Sequence, residues 1–134
     1  MRTWYLPLSF VLLLAFSIVT LACGSSSMRS LQSVTVNPST ASGNFQFVAT
    51  GHYNRAPATV TPLPDATWGA CLNGNPTSDI TVSTNGLAQC GASASGSYTV
   101  WSYGTSATGA VCNVINSCGG GCGRVTGTAT LTCP

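Results

Sequence analysis

The reactive chemistry of this 134-residue chain is concentrated in seven cysteines, one histidine and two aspartates. His52 with Asp65 or Asp79 and a serine supplies the residue types of a hydrolytic triad, in which an imidazole takes the hydroxyl proton and a carboxylate orients the ring. The Gly-x-Ser-x-Gly elbow that exposes such a serine is absent. His52 follows a strand-like run and reads as a surface turn residue. Asp65 and Asp79 would act as a glycosidase pair only across a narrow cleft; both stand at strand starts or turns. Two acids are also too few for the roughly six to eight oxygens that calcium takes. Cys118-Gly119-Gly120-Gly121-Cys122 is not the Cys-x-x-Cys of redox enzymes. Cys112, Cys118, Cys122 and Cys133 lack the close knuckle of a four-sulfur zinc site. No catalytic residue, metal or cofactor is expected.

Cys23 stands apart from the other six cysteines. A short basic start at Met1-Arg2-Thr3, an apolar run over 4–21 and the small residue Ala22 before Cys23 form an export signal. The expected organisation is a signal peptide over 1–22, a tether over 23–30 and one domain over 31–134. Cys71, Cys90, Cys112, Cys118, Cys122 and Cys133 then remain in a small exported domain, where they read as a disulfide framework. Residues 23–134 contain no Lys and no Glu; three arginines (Arg29, Arg55, Arg124) stand against Asp65 and Asp79, a net of +1. That supplies no basic footprint for nucleic acid and no basic surface for holding anionic lipid.

The elements that must position these residues are strands. Low charge with abundant Ser, Thr, Gly and Val suits pleated surfaces with hydroxyl-bearing outer faces. Strands are expected at 31–36, closed by Asn37-Pro38, and at 45–51, with Phe45, Phe47 and Ala49 on a buried face. A short edge strand at 58–61 lies between Pro57 and Pro62. Residues 66–71 carry the core tryptophan, Trp68, and 79–83 form a strand turned by Thr84-Asn85-Gly86 into 87–90. The strongest patterns are 97–103 and 125–132, separated by a long loop over 104–124 that holds three cysteines. About seven short strands argue for an all-β, two-sheet sandwich.

The chain resembles the bacterial immunoglobulin-like domains of group 2, the invasin/intimin type of repeat. The resemblance runs through Val34-Thr35-Val36-Asn37-Pro38, Phe45-Gln46-Phe47-Val48-Ala49-Thr50-Gly51, Ala66-Thr67-Trp68, Ser83-Thr84-Asn85-Gly86-Leu87-Ala88 and Gly127-Thr128-Ala129-Thr130-Leu131-Thr132. It spans residues 31–133 and implies an immunoglobulin-like sandwich. Members are usually cysteine-poor, so the six cysteines mark a stapled variant with an unusually long loop before its last strand. The leader resembles a bacterial lipoprotein signal, which implies that Cys23 is lipidated; simple cleavage near Ala22, giving a free secreted protein, is the alternative. Gly24 lacks the aspartate that signals inner-membrane retention in some lipoproteins, which favours the outer membrane or cell surface.

Within such a sandwich, Cys71, Cys90 and Cys133 are implied to gather at one pole, with Cys112, Cys118 and Cys122 starting from the other. Either the loop folds back over a sheet or one cysteine stays free. A Cys122–Cys133 bridge is disfavoured, because ten extended residues span about 33 Å and a disulfide needs Cα atoms within about 7 Å. The expected pairing is Cys71–Cys90, with Cys118 or Cys112 reaching Cys133, one of about fifteen connectivities. The family pattern also implies that Tyr98, Val100 and Ser102 face the core and that Thr99, Trp101 and Tyr103 face outward. An outward Trp and Tyr suit a surface glycan or a protein partner, unless the long loop covers them. The reading is a non-catalytic, lipid-anchored extracytoplasmic module for binding or spacing at the cell envelope. The competing class is a secreted disulfide-rich effector or inhibitor working through the loop from Cys112 to Cys122.

Overall fold

The computed structural model describes residues 28–106, 118, 120–121 and 123–134. The expected signal peptide, Cys23, most of the tether, Cys112 and Cys122 lie outside the described residues. The described chain is all-β. Eleven strand segments follow in order: β1 (Leu31–Asn37), β2 (Thr40–Ser42), β3 (Phe45–Gln46), β4 (Val48–Tyr53), β5 (Thr59–Val60), β6 (Thr67–Leu72), β7 (Asn75–Pro76), β8 (Ile80–Val82), β9 (Leu87–Cys90), β10 (Gly96–Thr105) and β11 (Arg124–Cys133).

These segments make two layers. One is a five-stranded sheet in the order β2-β11-β10-β6-β7. The other is built from β1-β4-β5 and β3-β9-β8, joined because β3 and β4 are successive stretches of one strand. Seven principal strands in an A-B-E-D layer facing a C-F-G layer are the immunoglobulin-like arrangement. β2 adds to β11 in parallel, as Thr130↔Thr40 to Thr132↔Ser42. Arg29 and Ser30 already belong to the folded body. The Arg29 guanidinium lies 3.5 Å from the Tyr53 ring centroid and donates to the Pro57 carbonyl at 2.5 Å, and the Ser30 amide donates to Asn54 Oδ1 at 2.8 Å.

Alternation of side chains along a strand decides which residues are inside. In β10 Tyr98, Val100, Ser102 and Gly104 point inward; in β11 Gly127, Ala129, Leu131 and Cys133 do so, with Thr128, Thr130 and Thr132 outside. The main core cluster gathers Phe47, Ile80, Ala88, Tyr98, Val100 and Leu131, and a second one gathers Leu31, Val34, Ala49 and Leu63. Trp68 is half-buried and packs against both. The layers approach closely at Gly127, where a Cβ would lie 2.5 Å from the Val34 carbonyl oxygen.

Two expectations are corrected. Phe45 is 39% exposed rather than buried with Phe47 and Ala49. It sits on the two-residue β3 at the end of its layer and meets Phe47 edge-on, with ring centroids 5.6 Å apart. His52 lies in β4 rather than in a turn after it, opposite Ser33 and Thr59.

Candidate functional site

The expected pairing Cys71–Cys90 does not form. Cys71 is bonded to Cys118 and Cys90 to Cys133, each with Cα atoms 5.8 Å apart. The reason is face rather than pole. Cys71 stands opposite Thr99, and Gly69 opposite Trp101, so Cys71 belongs to the outer face of the five-stranded sheet. Cys133 is inward and 3% exposed, and Cys90 packs against the main core from β9. Cys90–Cys133 therefore ties the two layers through the interior. Cys71–Cys118 holds Cys118 against the outer face, leaving Cys71 1% exposed there. Loop fold-back was expected, but toward Cys133. Two disulfides suit an extracytoplasmic or otherwise oxidising environment.

Trp101 and Tyr103 do lie on the outer face, both half-buried. They are stacked on each other, with ring centroids 5.7 Å apart and planes 16° apart. The Arg124 guanidinium lies 4.3 Å from the Tyr103 centroid. Arg124 stands opposite Thr105 in register, beyond Tyr103 as seen from Trp101, so the tyrosine ring is held between an indole and a guanidinium. The benzene edge of Trp101 lies over Gly69, where a Cβ would collide with Trp101 Cζ2. Trp101 Nε1 is buried and has no hydrogen-bond partner among the described residues.

The candidate acid–base residues are not brought together by hydrogen bonds. His52 Nε2 and Thr35 Oγ1 lie 3.2 Å apart, and the Tyr98 hydroxyl donates to Asp79 Oδ2 at 3.4 Å. Asp65 occupies a left-handed turn, φ 54°, before β6. Among the described residues no group of three metal-ligating side chains is found.

A hollow of about 360 Å³, which the sequence reading missed, opens beside Trp68. Residues 47–50 of the β3–β4 strand have no strand partner on one edge, because β9 pairs at Phe45–Gln46 and β5 only from Gly51. Single bonds bridge the gap: Phe47 N donates to Gly86 O at 2.9 Å and Leu63 N to Ala49 O at 2.8 Å. Through this gap the layer admits access to Trp68 of the opposite sheet. Val48, Pro62 and Ala66 contribute accessible apolar walls, with Phe47, Ala49 and Leu63 buried behind them; Asp65, Thr84 and Asn85 supply polar groups.

No family model matches the chain, and no curated protein matches it.

Proposed function

We propose that the protein is a non-catalytic, lipid-anchored immunoglobulin-like module acting outside the cytoplasm at a bacterial cell envelope. Its role is binding or spacing, as in adhesion or a surface structure. The observation that carries the binding role is the Trp101–Tyr103–Arg124 row. Trp, Tyr and Arg are the residue types most enriched among side chains that dominate interface energetics. Here they stack in one line beside the outward threonines of β11.

The arrangement favours a protein partner over a glycan at this row. A sugar ring needs an open aromatic face, and both faces of Tyr103 are engaged. A protein can instead bury the outer margin of the row and the guanidinium together. The leader ending at Cys23, the resemblance to group 2 domains and the disulfides support the envelope placement. One acyl chain anchors only marginally and two or three anchor stably, so the modification expected at Cys23 would be sufficient.

Two experiments test this reading. Intact mass of the native membrane-extracted protein is expected to begin at Cys23 and to carry acyl chains; a lipid-free mass removes the anchor. The double variant Trp101→Ala, Tyr103→Ala is expected to fold yet lose binding to surface proteins of the same cells. Unchanged binding would remove the row as a contact surface.

A further inference from the structure

The hollow over Trp68 lies on the opposite side of the five-stranded sheet from the Trp101 row. We propose that it binds a small organic cation, an ammonium or quaternary ammonium group on a compact apolar body.

Its size is at the low end of ligand pockets, which run from about 300 to 1,000 Å³, so it suits one compact group rather than a chain. Trp68, Val48, Pro62 and Ala66 give it accessible apolar surface, over a floor of the buried Phe47, Ala49 and Leu63. An indole is the best of the aromatic side chains at attracting a cation to its face. Asp65 carries the one formal charge among the lining residues, and it has no ion-pair or hydrogen-bond partner among the described residues. An unpaired carboxylate beside a tryptophan complements positive charge.

The walls decide between a cation and a sugar. A polyhydroxylated ring would turn hydroxyls toward the side chains of Val48, Pro62 and Ala66, where they find no hydrogen-bond partner and lose their water. The methyl or methylene groups of an ammonium are favourably buried against the same walls, while its charge lies between indole and carboxylate. Asn85 Oδ1 is already taken by the Ser83 hydroxyl, so its amide N–H groups and the Thr84 hydroxyl remain for the ligand's polar tail.

The test uses the exported, disulfide-intact protein with choline chloride as probe, read by the indole N–H resonances of Trp68 and Trp101. Choline is expected to shift Trp68 saturably and to leave Trp101 in place. Asp65→Asn keeps a residue type that tolerates the left-handed conformation and is expected to weaken binding about tenfold. Trp68→Phe, followed through the backbone resonances of Ala66 and Asn85, is expected to weaken it as well. The neutral isostere 3,3-dimethylbutanol and glucose are expected to bind more weakly than choline. An unmoved Trp68, an Asp65→Asn variant that binds choline like the wild type, or a neutral compound that matches choline would each overturn the proposal. None of these results bears on the outer-face row.

Discussion

Trp68 and Trp101 stand on neighbouring strands, one step apart in register and on opposite faces of the same sheet, and their surroundings differ in kind. Trp101, facing outward, is fitted over Gly69, stacked on Tyr103 and left with its indole nitrogen buried. Trp68, facing inward, lies under a gap in the opposing layer and borders a hollow whose Asp65 carboxylate has no partner among the described residues. Outward position does not leave every part of an aromatic open, and inward position does not make it covered. What decides is whether a neighbouring layer or side chain closes over the ring.

The two disulfides extend the same contrast, and removing them gives the largest expected effects. They close loops of 43 and 47 residues, so chain entropy assigns each about 4 kcal/mol. The inner bridge also fills core volume. Replacing Cys90 and Cys133 by alanine is therefore expected to lower urea stability by about 1–2 kcal/mol more than replacing Cys71 and Cys118. Equal losses would erase the distinction between an interior tie and a surface pin.

Gly69→Ala comes next. The added methyl must displace Trp101, at an expected cost of about 1–3 kcal/mol, with loss of the Trp–Tyr signal in near-UV circular dichroism. An unchanged spectrum would mean that Trp101 is not seated over the glycine. Arg124→Ala is expected to be smallest, about 0.5–1 kcal/mol, because a partly exposed guanidinium on one ring contributes no more. A loss above about 2 kcal/mol would show that Arg124 holds more than Tyr103.

The strands were largely legible because their alternation is strong: β10 and β11 bury every second residue, and Thr84-Asn85-Gly86 turns β8 into β9 as expected. The disulfide pairing was not, because the end of the domain at which a cysteine lies does not say on which face of its strand it stands. Counting by twos from Trp68 puts Cys71 outside, and counting from Leu131 puts Cys133 inside, so that signal was present in the sequence. Asn73-Gly74, both residues at positive φ, form the two-residue hairpin from β6 into β7; it too was there to be read. The hollow had no such signal. It comes from the edge of one strand changing partner between β9 and β5, a tertiary event that no local pattern encodes.

The most direct test of this contrast is the response of the two indole N–H resonances to a neutral paramagnetic relaxation agent in the folded, disulfide-intact protein. Trp68 is expected to broaden at low agent concentration while Trp101 stays sharp. A sharp Trp68 and a broadened Trp101 would mean that the outer indole N–H is open and the hollow closed, and would contradict the account.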